Sequence, residues 1–313
     1  MATERALPSA SDDRAPGEIL ACSIGVMAYN EEANIGRLLQ TILDQRTDTC
    51  EIAEVIVVSS GCTDGTERIV LEFAARDPRI KLLSEVRRSG KASGVNLFMR
   101  HARSDILVSV GADTLLAPDT IQRLVEPFAD PEVGMTGGRP IPVNDSKTFM
   151  GFAAHFLWDL HHRVAMRNPK LGEITAFRRV FHRIPCYSAV DEANMQPLVR
   201  GQGYALRYVP DAIVHNRGPE TIADFLKQRR RIYAGHLRMA REQGYSVATM
   251  DAAAILKVLL GSPYLYGRRL GWTLGVIGLE IHGRLLGWMD HRLKRRDHAV
   301  WEVARTTKGA IAE

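Results

Sequence analysis

Several things are scarce in this chain of 313 residues. Its four cysteines, Cys22, Cys50, Cys62 and Cys186, share no metal-ligand spacing and make no short disulfide framework. Free, mostly buried thiols in a reducing compartment are therefore expected. Residues 1–18 hold no apolar stretch and contain Pro8 and Pro16. They read as a disordered lead, and no secretory leader is expected there. The basic runs Lys227–Arg231 and Arg292–Arg296 have no interleaved aromatics at a stacking surface, which argues against nucleic acid as a partner. The one apolar run of bilayer length, Leu270–Met289, is interrupted by Glu280, His282 and Arg284. There is no internal repeat.

What is present is an alternation of short apolar runs and helical patterns. Ser23–Tyr29, Glu54–Ser59, Ile80–Leu83 and Ile106–Val110 read as strands. Between them, Ile35, Leu38, Leu39, Ile42 and Leu43, then Ile69, Val70 and Phe73, then Val95, Leu97 and Phe98 recur at helical spacing. Such alternation predicts a parallel sheet with helical crossovers. After about residue 130 the pattern changes. Val133–Gly138 reads as a strand with a glycine turn, Phe149–Met166 as a helix, and Ile174–Arg178 as a strand. Leu206–Val209 and Ala212–Val214 read as two short strands around Pro210, followed by a long basic helix over Thr221–Gln243. The expected layout is a main domain over 19–245, with halves at about 19–130 and 131–245, and a helical segment over 246–313.

Ile106–Thr114 (ILVSVGADT) organises this layout. A buried strand ends in Gly111 and Ala112 and delivers the carboxylate of Asp113 to its tip. In open α/β sheets ligands sit beyond the carboxyl ends of strands. A single Asp there suits Mg²⁺ or Mn²⁺ bridging a diphosphate, since these ions take oxygen ligands and few carboxylates. The alternative is an Asp that caps the helix near Pro118. Asp64 lies in a glycine-rich turn before a helix, where it either accepts from a nucleoside or closes an ordinary Asx turn. Lys91 is a point charge suited to phosphate or to a nearby acid, or a solvated loop lysine. His155, His161 and His162 read as surface or groove histidines rather than metal ligands.

The ordered set of motifs resembles the inverting glycosyltransferases of family 2, which have a GT-A fold. The residues carrying the likeness are MAYNEE (27–32), VVSSGCTDGT (57–66), Gly90-Lys91, and Gly111-Ala112-Asp113. Further on come Gly137-Gly138, AFRR (176–179), Val190-Asp191-Glu192, Gly203-Tyr204, Pro210-Asp211-Ala212 and QRRRIY (228–233), so the match covers roughly residues 22–240. The resemblance implies a mixed, mainly parallel sheet flanked by helices, with a C-terminal helical extension. It also implies a UDP- or GDP-linked sugar donor and Mg²⁺ or Mn²⁺. Donor binding falls by this likeness to Ala28, Tyr29, Asn30, Glu31, Ser59, Asp64, Lys91, Ala112, Asp113, Gln228 and Arg231. The chain departs from the family where DDGSTDG becomes SSGCTDG, leaving Ser59 in place of an Asp, and where DxD becomes Gly111-Ala112-Asp113. His215, after Pro210–Val214, is a candidate further metal ligand, with a hydrogen-bonded strand-end histidine as the alternative.

Inverting transfer needs a carboxylate to take the acceptor proton and a cation to meet the leaving diphosphate. Counting back from Gly203 places Glu192 at the family's base position, and Asp191 stays open beside it. Gln228 and Arg231 resemble the Gln-x-x-Arg-Trp signature of polymerising members, with Ile232 in place of Trp; Arg229 and Arg230 read as a solvated face. Trp272, Trp288 and flanking basic residues suit a helix lying on an anionic membrane. Gly267, Gly271 and Gly275 would allow close helix packing, within the chain or in a homo-oligomer. The sequence thus points to transfer of a sugar to a lipid-linked or glycan acceptor, in the cytoplasm at the inner face of the membrane. Two other readings are a weakly catalytic nucleotide-sugar or glycan-binding protein and a nucleotidyltransferase. The second would want a basic, glycine-rich loop where MAYNEE is acidic.

Overall fold

The computed structural model describes residues 19–186, 189–265, 269–293 and 305–309. The polar lead, Gly267, and residues 294–296 of the C-terminal basic run lie outside them. Eight strands form one mixed sheet. They are β1 (Leu20–Ala28), β2 (Cys50–Ser60), β3 (Ile80–Glu85), β4 (Ile106–Gly111), β5 (Thr114–Leu116), β6 (Val133–Pro142), β7 (Ile174–Arg178) and β8 (Ala205–Asn216). Their order is β3-β2-β1-β4-β7-β6-β8-β5. The first four in that order are parallel; β7 then runs antiparallel to both β4 and β6, β6 is parallel to β8, and β5 is antiparallel to β8.

The parallel half arises where the apolar runs are continuous, because helices cover both faces. Side chains alternate between two cores. Val55, Val57, Ile106 and Val108 meet α1 (Ile35–Leu43) on one face, while Ile56, Val58 and Leu107 pack with Phe98 of α3 (Lys91–His101) on the other. α2 (Thr66–Ala74) completes this half, while α4 (Thr120–Val125) packs on β8 and β6. The other half carries α5 (Phe149–Ala165), α6 (Asp191–Arg200) and α7 (Ile222–Gln243), the last begun by the Thr221 hydroxyl, which accepts from the Asp224 amide.

Three local expectations need correction, and one strand was not foreseen. β8 is one strand, not two; its ladder with β6 skips between Tyr208 and Ile213, a bulge that accommodates Pro210. Gly137 and Gly138 continue β6 rather than turning it. The short edge strand β5 had no periodic signal. Arg229 and Arg230 are not a solvated face: Arg229 pairs with Glu280 at 3.4 Å, and Arg230 with the buried Asp290.

Those two acids belong to α9 (Leu270–Leu293), which lies along α7. The close approach occurs at Gly283 and Gly287, not at Gly271, which has nothing near it. A Cβ at 283 would lie 2.6 Å from Arg229 Cβ, and one at 287 would lie 2.6 Å from the Arg230 carbonyl oxygen. Of the residues that interrupt the apolar run, Glu280 and Arg284 thus face inward, whereas His282 is exposed. Leu270, Leu274, Ile281, Leu285 and Trp288 are exposed instead, and at 3.6 residues per turn they fall within about 60° of one face. No described helix is long and apolar enough to cross a membrane.

Candidate active site

A cavity of about 1200 Å³ runs from the carboxyl tips of β1, β2 and β4, past α6 and α7, to the gap between α5, α9 and α8 (Ala252–Leu260). Its three regions differ in chemistry.

At the strand tips, Ala28, Tyr29, Glu31, Ser60 and Asp113 line it. Asn30 stands in the left-handed region (φ 52°) and faces the neighbouring loop, where its Oδ1 accepts from the Thr63 amide at 2.8 Å. It ties β1 to the loop after β2. Of the two serines, Ser60 reaches the cavity; it donates to Glu85 at 2.7 Å and accepts from the Ser89 amide at 3.2 Å. Ser59 is fully buried, and its hydroxyl has no partner. Asp64 accepts from the Thr66 amide and hydroxyl (3.0 and 2.5 Å) and from the Glu32 amide (3.2 Å), so its carboxylate closes the turn into α2. Burial opposes its ionisation, but these hydrogen bonds outweigh burial and hold it below the usual carboxylate range. It is not among the lining residues, and neither is the buried Ala112, whose amide donates to the Met27 carbonyl at 3.2 Å. Where the DxD pattern has its first acid, a Cβ on Gly111 would sit 2.8 Å from Asp113 Oδ1.

In the middle, Lys91 opens α3 and is ion-paired with Glu192 in the first turn of α6. Burial pushes Glu192 up, yet the Lys91 ammonium outweighs it and keeps the carboxyl below its ordinary value. Lys91 is raised in turn, the carboxylates of Glu192 and Asp191 prevailing over burial. Asp191 is buried and also lines the cavity, as do Gln228 and Arg231. Burial draws Arg231 down against the surrounding acids, Asp191 and Glu192 foremost.

Two groups here had no sequence signal. Glu173 stands in the left-handed region (φ 60°) just before β7; burial, then the charge of Asp113, pushes its carboxyl up to about 7. Burial and the Arg229 charge bring Lys170 down to about 8. Glu280 and Arg284 are also at the wall, hydrogen-bonded at 2.8 Å. A better signal for these two was available: charges four apart in an otherwise apolar helix mark its inward face.

The third region is apolar. Leu157, Leu160, Val258 and Val276 line it, and Leu256 and Ile281 stand at its outer end, both more than half exposed. His161 is buried at this wall, with neither ring nitrogen hydrogen-bonded, and burial holds it well below the usual imidazole range. His155 and His162 bond to the Asn144 carbonyl and the Tyr208 hydroxyl.

His215 does not join Asp113 at the cavity. It pairs with Leu115 in the β5–β8 ladder, and the adjacent Asn216 faces the cavity instead. Among the described residues no group of three or more His, Cys, Asp or Glu could cage a metal. The residues present fit a cation that takes one carboxylate from Asp113 and its other ligands from a diphosphate and water. Burial, then the Asp113 charge, also pushes the neighbouring Glu31 up to about 7, against the Lys308 ammonium that pairs with it.

Comparison with known proteins bears on the fold and the family. A mannosyltransferase from Pyrobaculum calidifontis, solved in complex with GDP-Man and Mn²⁺, superposes with a TM-score of 0.65 at 21% identity, covering 88% of each chain. That likeness establishes the fold, a GT-A sheet with helices at the C-terminal side. An N-acetylglucosaminyltransferase of Rhizobium meliloti is 26% identical over 290 residues, which is 83% of this chain but 63% of that relative. A dolichyl-phosphate beta-glucosyltransferase of Trichomonas vaginalis is 32% identical over 114 residues, 35% of this chain and 34% of the relative. Residues 23–195 match the model of glycosyl transferase family 2, more than half of the chain, and the protein belongs to that family.

Proposed function

We propose that the protein transfers a sugar, with inversion, from a UDP- or GDP-linked donor to a lipid-linked or glycan acceptor. The observation that carries this reading is the placement of Asp113, Arg231 and the Lys91–Glu192 pair on one cavity. The nucleoside lies at the tips of β1 and β2, against Tyr29 and Glu31. The diphosphate lies beside Asp113, which would hold Mg²⁺ or Mn²⁺; such an ion neutralises charge on the departing diphosphate. Arg231 faces the same charge.

The acceptor hydroxyl approaches from the side of α6. Its oxygen forms a bond to the anomeric carbon while the bond from that carbon to the diphosphate oxygen breaks, the electron pair leaving with the diphosphate. The proton passes to the Glu192 carboxylate, which Lys91 keeps ionised until then. Asp191, one residue away and on the same cavity, is the alternative acceptor of that proton.

The apolar third of the cavity favours an acceptor with a hydrocarbon part. It opens at Leu256 and Ile281, and Ile281 belongs to the exposed apolar stripe of α9. A protein resting on an anionic membrane through that stripe would meet such an acceptor at the bilayer surface. In this reading the protein works at the inner face of the cytoplasmic membrane.

The test is a panel of UDP- and GDP-sugars with Mn²⁺ or Mg²⁺, scored for release of the nucleoside diphosphate with and without polyprenyl phosphate or short glycans. Acceptor-dependent release supports the reading. Nucleotide binding without turnover of any donor would favour a binding protein of the same fold.

A further inference from the structure

Arg305–Lys308 reads RTTK and drew no functional expectation from the sequence. In the structure it is one tight helical turn, far along the chain from the strand tips, and Thr307 and Lys308 line the cavity. The turn is anchored on two elements. On the α7 side, Thr306 donates from its amide and hydroxyl to Asp224 Oδ2 (3.2 and 2.9 Å), and its hydroxyl accepts from the Glu220 amide at 3.2 Å. On the β1 side, Asn34 Nδ2 donates to the Lys308 carbonyl at 3.2 Å. The Lys308 ammonium donates to the Tyr29 carbonyl at 2.7 Å and is ion-paired with Glu31.

These contacts fall on the nucleoside end of the cavity. Glu31 is 4% exposed and lines the cavity with Asp113, so its carboxylate needs a counter-charge before another anion can approach. Lys308 is that counter-charge. The Tyr29 ring has two cations near it, with the Arg88 guanidinium 4.1 Å and the Lys308 ammonium 5.9 Å from its centre. A carbonyl, a carboxylate and an aromatic face are thus fixed together by one lysine from a remote part of the chain.

We propose that Lys308 is a donor-positioning residue: by holding the Tyr29 carbonyl and the Glu31 carboxylate in place, it completes the subsite for the nucleoside of a nucleoside diphosphate. The proposal rests on the glycosyltransferase reading above. It makes the RTTK turn a wall of the donor site rather than a plug in it.

The experiment is calorimetric titration of the full chain and of Lys308→Met, Lys308→Arg and Thr306→Val with UDP and with GDP, each with Mn²⁺. One charge-assisted contact removed corresponds to about a tenfold or larger loss of affinity. Lys308→Met is expected to show that loss, Lys308→Arg to recover most of it, and Thr306→Val, which loosens the turn without touching the cavity, to lose less in the same direction. With an active donor, Lys308→Met should raise the donor KM and leave kcat near wild type. Should Lys308→Met fold poorly, the arginine and valine variants decide. Wild-type affinity in the methionine variant, or tighter binding, as a displaced plug would give, overturns the proposal. Failure of the wild type itself to bind either nucleotide counts against the glycosyltransferase reading instead.

Discussion

The Lys91 ammonium is ion-paired with the Glu192 carboxylate across 101 residues of sequence. Each residue stands in the first turn of its helix, Lys91 in α3 and Glu192 in α6. Helix N-termini favour negative charge, so both dipoles and the lysine hold the carboxylate ionised. A proton acceptor kept ionised beside an anion-binding site is what direct displacement at a sugar carbon needs.

Replacing Glu192 with Gln should therefore leave nucleotide affinity unchanged and lower kcat by about a hundredfold or more. Asp191→Asn serves as the contrast. If the asparagine variant is dead and the glutamine variant turns over normally, the base is Asp191.

Lys91→Met strands a mostly buried carboxylate, at a cost of about 3 kcal/mol in stability. Its effect on catalysis has a definite sign. The proposed base Glu192 would act in its ionised form, and with the lysine gone burial raises its pKa, so the acid limb of kcat/KM should move to higher pH. A pH–rate profile measures this; an unmoved limb would separate Glu192 from the chemistry.

Glu173 gives a stability prediction of the opposite sense. Its carboxyl is raised from the ordinary 4.5 to about 7 by burial and by Asp113. The neutral form is the one the fold prefers. The contribution is complete below about 4.5 and is lost as pH rises through about 7, amounting to about 3 kcal/mol at 1.36 kcal/mol per pH unit. Glu173→Gln should then be more stable than wild type at pH 8 and no more stable at pH 4.5. Denaturant melts at the two values check it.

How much of this was legible beforehand depended on the range of the interaction. β1, β2 and β4 announce themselves because strands covered on both faces are continuously apolar, and Asp113 follows from the end of such a run. Which of Ser59 and Ser60 faces the cavity turns on strand phase, where one residue reverses the side chain. Glu173 carries no periodic signal; its meaning comes from a backbone turn and from acids brought near by folding. α9 was read for its apolar content, whereas its inward acids and arginine answer to α7. Lys308 lies 277 residues from Glu31, and nothing local foretells their pairing.

The outer face of α9 makes its own prediction. Wild-type protein should sediment with vesicles containing anionic lipid and stay in solution with neutral ones at moderate salt. The double variant Leu274→Glu, Ile281→Glu should stay in solution with both, because neither side chain packs inside the fold. Sedimentation unaffected by those changes would move the contact elsewhere.

The central claim is that the tips of β1, β2 and β4 bind a nucleoside diphosphate around a cation held by Asp113. Isothermal titration of UDP and GDP, with and without Mn²⁺, into wild type and Asp113→Ala tests it most directly. One of the nucleotides should bind wild type more tightly with Mn²⁺, and Asp113→Ala should bind it equally weakly with or without the ion. A metal response in Asp113→Ala equal to that of wild type would contradict it.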